Sequence, residues 1–140
     1  MSDRKAVVAA YIDGFRRTDH QAIHSCLTDN VVWIIHGHRT LQGRDTFDGE
    51  IENDATIGGP KLQIDHMIEE GDTVVAIGHG AMTLKDAGGV AFVFAEVFTF
   101  AGELISRIET FHINLGDGSP GTIAAPGARE VTRGGESPIA

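Results

Sequence analysis

The sequence predicts an α+β fold in which three N-terminal helices pack on one face of a curved, mostly antiparallel sheet. Apolar residues recur at helical spacing near the N-terminus, and four long runs of strand-like sequence follow. The links between those runs are short and contain glycine, as β-hairpins require. The resulting order of elements, α-α-β-α-β-β-β-β, is satisfied by helices that cover a single sheet.

An amphipathic helix is predicted first, over about residues 3–17, because apolar side chains recur there on one helical face. Thr18 and Gln21 then form a capping-box pattern, which opens a second helix. Asp29 and Asn30 are expected to end that helix before the first strand begins.

The first strand is predicted over residues 31–36, which are rich in β-branched side chains. A loop over residues 37–42 and a third short helix, carrying Phe47 and Ile51, come next. Glycines and a proline at 58–60 then break the chain. The four strands that follow are predicted over about residues 61–69, 73–84, 90–100 and 104–114.

One domain is expected over residues 1–115, because the composition changes in residues 116–140. The last segment holds six glycines and three prolines and almost no large apolar side chains. Since such a segment buries too little apolar surface to order itself, it is predicted to be a mobile C-terminal tail.

The charge balance excludes two classes of partner. The chain has 20 acidic and 11 basic residues, so it has no basic stripe for nucleic acid or for an anionic membrane surface. No apolar run reaches the length of a membrane span, no signal-peptide pattern is visible, and the single Cys26 suits a reducing compartment. A cytoplasmic protein with a small, apolar substrate or ligand is therefore expected.

Glu96 interrupts the most apolar strand of the sequence. Alternation places it on the same face as Phe92, Phe94, Phe98 and Phe100. A carboxylate among phenylalanines loses its hydration, so its pKa should rise unless a partner is near. Such a group is a candidate catalytic residue, and a structural acid paired to a buried cation or tyrosine is the alternative.

Tyr11, the only tyrosine, lies on the apolar face of the first predicted helix. A buried phenol needs a hydrogen-bond partner, and an acid in the same cavity would be one. Tyr11 and a protonated Glu96 would together form a pair of donors for an enolate or a tetrahedral oxygen. A core tyrosine bonded to a backbone carbonyl is the alternative.

Three histidines within or at the ends of strands, His36, His66 and His79, are candidates for the catalytic acid or base, because neutral imidazole is the usual group for that role near pH 7. Gly78 and Gly80 are expected to leave open space beside His79. Each histidine is alternatively a structural one.

A metal site is a further hypothesis. His36 and His38 are two residues apart, and another strand histidine with Glu96 would complete a sphere of imidazoles and one carboxylate. The spacing is not diagnostic, because Gly37 is expected to end the strand and turn His38 into the loop. The sequence therefore predicts no metal and no cofactor.

Four short stretches of the sequence form a pattern that is specific through their order and spacing. They are Ala10-Tyr11-Ile12-Asp13-Gly14-Phe15, Asp29-Asn30-Val31-Val32-Trp33, Leu41-Gln42-Gly43-Arg44-Asp45 and Glu96-Val97-Phe98-Thr99-Phe100. This pattern resembles the nuclear transport factor 2-like superfamily, and the resemblance covers about residues 4–114. It implies the conical, cystatin-like fold shared by ketosteroid isomerase and SnoaL-like polyketide cyclases.

The resemblance also implies roles for individual residues. Tyr11 resembles the catalytic tyrosine of ketosteroid isomerase, and Glu96 matches its oxyanion-binding aspartic acid, which that enzyme keeps neutral at pH 7. Ile34 stands where the isomerase carries its general-base carboxylate. The isomerase reaction would therefore need a base from elsewhere, such as one of the three histidines.

The sequence thus predicts an enzyme of the isomerase, cyclase or lyase type, which uses acid–base chemistry in an apolar pocket on a carbonyl-bearing substrate. The residues expected to line that pocket are Phe15, Ile34, Phe92, Phe94, Phe98 and Phe111. The alternative is a non-catalytic module of the same fold that binds an apolar ligand or mediates dimerisation. A homodimer is expected from the resemblance, formed through the sheet face that carries Val93, Ala95 and Val97.

Overall fold

The computed structural model describes residues 2–52 and 56–116, so the predicted C-terminal tail lies, from residue 117 onward, outside the described residues. The α+β architecture is confirmed: three helices from the N-terminal part of the chain cover one face of a curved six-stranded sheet. The elements are α1 (Asp3–Arg17), α2 (His20–His24), β1 (Leu27–Ile35), β2 (Arg39–Gln42), α3 (Arg44–Ile51), β3 (Thr56–Glu70), β4 (Thr73–Leu84), β5 (Gly88–Ala101) and β6 (Leu104–Gly116).

The boundary between α1 and α2 differs from the predicted capping box. Thr18 has a left-handed backbone (φ 51°) and ends α1, and its N–H bonds back to Gly14 and Phe15. The side chain of Asp19 then caps α2 by accepting from the N–H of Ala22 at 3.0 Å. α2 is only five residues long, and β1 begins at Leu27, inside the region predicted to be helical.

The strand order across the sheet is β2-β1-β6-β5-β4-β3. All neighbouring strands are antiparallel except β1 and β6, which run parallel. The predicted loop at residues 37–42 contains β2, which forms a hairpin with β1 through a turn at Gly37 (φ 78°). This short edge strand was missed because only one of its four side chains, Leu41, is buried.

The two faces of the sheet have different environments. The inner face packs against the helices, and its core includes Tyr11 and Phe47 from the helices and Phe98 and Ile108 from the sheet. The outer face is not covered by any helix among the described residues. It carries several exposed apolar side chains, which are Ile68, Ile77, Phe111 and Ile113. No helix in the described part of the chain is long and apolar enough to cross a membrane.

Candidate functional site

Glu96 lies on the inner face in the middle of β5, where it pairs with Ala76 of β4 and Thr110 of β6. The rings of Phe94 and Phe98 flank it along the strand and are buried. Burial raises the pKa of Glu96 from its ordinary value of 4.5 to about 7, although the hydrogen bond from Thr110 acts in the opposite direction. The rise predicted from the sequence is confirmed, and the carboxyl exchanges protons near neutral pH.

A chain of hydrogen bonds across three strands orients this carboxyl. The indole nitrogen of Trp33 donates to the Thr110 hydroxyl at 2.8 Å, and that hydroxyl donates to Oε2 of Glu96 at 2.5 Å. An indole N–H is only a donor, so the Thr110 hydroxyl accepts from Trp33 and has its own proton to donate to Oε2 of Glu96. Oε2 is therefore held as an acceptor, and the proton of a neutral Glu96 resides on Oε1.

Tyr11 lies beside this site, inside the aromatic core. Its ring makes edge contacts with Phe15, Phe47 and Phe98, with centroids 5.1–6.2 Å apart. Burial raises the pKa of Tyr11 well above its usual value, and the negative charge of Glu96 raises it further. The hydroxyl is buried and has no hydrogen-bond partner among the residues that the structure describes. Neither the predicted bond to the acid nor one to a backbone carbonyl is formed.

The three predicted catalytic histidines are not near Glu96, and this part of the prediction was wrong. His79 pairs with Val93 and His36 stacks on Phe111, so both lie on the outer face. His66 pairs with Ile77 of the same face. Their ring nitrogens serve local contacts where these are recorded: His79 bonds Asp65 at 2.8 Å, and His36 bonds Glu109 at 3.2 Å.

A β-bulge explains the position of His66. The register between β3 and β4 shifts between Ile64 and His66, so the alternation that begins with Leu62 and Ile64 changes face at Asp65. Met67 then replaces His66 on the inner side, where it packs against the core. The metal sphere considered from the sequence is not formed, because His36, His66 and His79 lie on the face opposite to Glu96.

The predicted pocket lining is divided between the two faces. Phe92, Phe94 and Phe98 lie on the face of Glu96, and Phe15 packs against the core beside Trp33. Ile34 and Phe111 do not belong there. Ile34 pairs with Glu109, so the inner positions of β1 are taken by its neighbours, and Phe111 is 43% exposed on the outer face.

His112 is the histidine that sequence reasoning passed over. It follows Thr110 on the same side of β6 and pairs with Phe94, which places it diagonally opposite Glu96. Its ring stacks on Phe92 at 4.4 Å, and Nε2 lies 2.8 Å from the side-chain oxygen of Asn114. Because the side-chain oxygen of Asn114 can only accept, Nε2 is the donor. In the neutral ring Nδ1 then keeps its lone pair. Its alternation with Thr110 was visible in the sequence, but the pairing register was not.

Gly78 and Gly80 do not leave the open space that was predicted. A Cβ on Gly78 would lie 2.1 Å from the carbonyl oxygen of Gln63 and 2.7 Å from the Phe94 ring. Gly80 is crowded in the same way by the Phe92 ring at 2.9 Å. The two glycines therefore allow both rings to lie flat against β4 and help to form the wall beside Glu96.

We expect Gly78→Ala to lower the free energy of unfolding by on the order of 2–3 kcal/mol, because the clash is with backbone and a packed ring. Gly49→Ala is the control: nothing lies within 4 Å of its added Cβ, and alanine favours the helix. Urea denaturation of both variants measures the effect. Equal stability of Gly78→Ala and the wild type would show that the neighbouring backbone and the Phe94 ring move aside at little cost in free energy.

The chain is similar to known proteins in sequence and in structure. The family model of the SnoaL-like domain matches residues 8–108. The comparison with curated proteins finds no match. An NTF2-like protein of unknown function from Burkholderia pseudomallei is 23% identical, with a TM-score of 0.73 over 79% of this chain and 91% of that one.

Two other similar structures carry names that suggest activities. An LEH-like epoxide hydrolase from M. tuberculosis is 16% identical, with a TM-score of 0.69 over 79% of this chain and 83% of its own. A putative SnoaL-like polyketide cyclase from Shewanella denitrificans is 13% identical, with a TM-score of 0.70 over 79% and 90%. At these identities the likeness shows the fold alone.

Proposed function

This chain belongs to the family of SnoaL-like domains, and from that premise we propose that it is an enzyme that moves a proton on a small, largely apolar, carbonyl-bearing substrate. The reaction is of the isomerase, cyclase or lyase type. The observation that carries the proposal is the state of Glu96. Its carboxyl lies among aromatic rings, has a pKa of about 7, and accepts a hydrogen bond from Thr110 on one of its oxygens. A carboxyl with this pKa supplies and accepts protons at neutral pH.

In this mechanism the substrate carbonyl oxygen lies against Oε1 of neutral Glu96. The acid donates a hydrogen bond to the oxygen as negative charge develops there, and the unpartnered hydroxyl of Tyr11 is the second donor. Nδ1 of His112 removes the proton from the carbon next to the carbonyl, which leaves an enol or enolate. Return of that proton to a different carbon completes an isomerisation, and loss of a leaving group completes an elimination.

The surroundings support this assignment. Phe92 and Phe94 bury apolar surface beside the acid, and Phe15 and Trp33 add aromatic surface from the helical side. An apolar surrounding of this kind strengthens each hydrogen bond to a developing charge. Two structures of the same fold are named as an LEH-like epoxide hydrolase and a putative SnoaL-like polyketide cyclase, and both names are those of enzymes.

The test is whether the protein exchanges and moves protons on a simple ketone. We expect it to convert cyclohex-3-enone to its conjugated isomer, followed by ultraviolet absorbance, and to exchange the protons next to the carbonyl in D2O, followed by NMR. His112→Gln should slow both processes, because it removes the basic nitrogen and keeps most of the volume. No exchange above the buffer rate with this and larger cyclic ketones would contradict the proposal.

The alternative, a non-catalytic module that binds an apolar ligand, has one observation in its favour. The three histidines expected to supply a base lie on the outer face, away from Glu96. The two functions differ in what a Glu96→Gln variant loses. Catalysis predicts a loss of rate with a modest change in affinity, and a binding module predicts a change in affinity alone.

A homodimer is part of this proposal. The outer face presents Ile77, Phe111 and Ile113, each between 38% and 61% exposed, next to the partly buried Val93 and Val97. Exposed apolar side chains that form one patch on a sheet are typical of an interface between protein chains. A second copy of the same face would cover them.

We expect sedimentation velocity to show a dimer at micromolar concentration and Phe111→Glu to shift it to monomer, because a charge replaces a large ring on this face. Ala10→Glu is the control, since it adds the same charge at an exposed position of α1, on the opposite side of the sheet. A monomeric wild type would contradict the proposal, as would a Phe111→Glu variant that remains dimeric.

A further inference from the structure

Two histidines and a carboxylate converge between the short helix α2 and helix α3, away from Glu96. His20 and His24 are four residues apart, so both side chains leave the same face of α2. Oδ1 of Asp48 lies 2.7 Å from Nδ1 of His20 and 2.7 Å from Nε2 of His24. One potential ligand atom from each residue lies within 4.8 Å of the others.

We propose that His20, His24 and Asp48 bind a divalent transition-metal ion, for which Zn2+ is the representative. Two imidazole nitrogens and one carboxylate oxygen are a ligand set for this class of ion, whereas Mg2+ and Ca2+ prefer oxygen ligands. Three protein ligands leave a fourth position for water. The site is independent of the function proposed for Glu96.

The distances are compatible with a metal after a small movement. Ligands 2.0–2.1 Å from a tetrahedral Zn2+ are about 3.3 Å from one another, so the atoms that now share hydrogen bonds must separate by roughly 0.6 Å. All three side chains are partly exposed, at 34% for His20, 23% for His24 and 45% for Asp48. Rotation of their outer atoms therefore meets little resistance.

Glu52 is placed to orient one of the two histidines. Its Oε2 lies 2.6 Å from Nε2 of His20, the ring nitrogen that does not face Asp48. A metal-binding histidine commonly donates its other N–H to a carboxylate, which fixes the ring and leaves the remaining nitrogen free for the ion. His24 is oriented differently, by packing against the Phe47 ring at 6.4 Å.

The local charge also favours a cation. Asp48 and Glu52 have no ion pair with lysine or arginine among the described residues, and their only recorded partners are the two histidines. A bound ion would join α2 to α3 next to Phe47, which is fully buried against Trp33 and Tyr11. The expected consequence is a metal-dependent gain in the stability of the helical layer.

The experiment uses the full chain without an affinity tag, stripped of metal and titrated with Zn2+ against a chromophoric chelator. We expect one ion per chain with a Kd of about 10 μM or tighter, and a melting temperature that rises by several degrees at about 100 times Kd. Co2+ should give the visible absorption of a four-coordinate site.

Three variants and a control define the site. His24→Gln and Asp48→Asn should each abolish the Co2+ spectrum and the rise in melting temperature, and Glu52→Gln should weaken binding about tenfold. His38→Ala is the matched control, because His38 also approaches a single carboxylate, Glu50 at 3.7 Å, without a third ligand. A wild-type Kd above 100 μM would overturn the proposal. Zn2+ binding that survives in both folded variants, as judged by circular dichroism, would overturn it too.

Discussion

Glu96→Gln is expected to reduce the turnover of cyclohex-3-enone by about 10-fold or more, with a much smaller change in KM. Glutamine keeps the shape of the side chain and can still accept the hydrogen bond from Thr110. It cannot carry the charge or transfer the proton that Glu96 exchanges at its pKa of about 7. The glutamine NH2 group still donates a hydrogen bond to the developing oxyanion, but a weaker one than a carboxylic acid, so the expected loss is smaller than the roughly 100-fold or more that follows removal of a donor.

The rate of the wild type should also depend on pH in one direction. Because the mechanism uses neutral Glu96, its contribution to kcat falls as pH rises through about 7. Glu50→Gln is a control for the removal of a carboxylate, since Glu50 is only 11% exposed but pairs with Arg39 and lies outside the site. Full turnover in Glu96→Gln would remove the acid from the mechanism.

The sequence identified Glu96 because the signal is local. A charge within a run of alternating apolar residues is visible without knowing which strands are neighbours, and the desolvation that raises its pKa follows from that run. The hairpins from β3 to β6 were equally visible, since each is closed by a short link with glycine.

The partners of Glu96 could not be predicted in the same way. Trp33, Thr110 and Glu96 come from three strands, and the bond between Trp33 and Thr110 spans 77 residues of sequence. Alternation gives the two faces of one strand but not which face meets the helices, and one bulge at Asp65 reverses it for His66. His112, the histidine that lies on the face of Glu96, could be placed there only from the register between β5 and β6.

The carboxyl to which we assign the catalytic role should also destabilise the fold above neutral pH. Its pKa is raised from 4.5 to about 7 in the folded state, so the folded protein holds a proton that the unfolded chain releases. The stabilising effect of this proton is complete below pH 4.5 and is lost as pH rises through 7. The loss amounts to at most about 3 kcal/mol, since each pKa unit corresponds to about 1.4 kcal/mol and Glu96 is only partly enclosed.

Glu96→Gln is therefore expected to be more stable than the wild type at pH 8 and close to it at pH 5. Urea denaturation at pH 5, 6, 7 and 8 measures the difference between the two proteins, which cancels the shared titration of the other groups. Thr110→Val sharpens the test, because the hydrogen bond that it removes holds the pKa of Glu96 down. In that variant the loss of stability should move to higher pH. A constant difference between Glu96→Gln and the wild type across this range would mean that Glu96 is ionised throughout, and the neutral acid required by the mechanism would not exist.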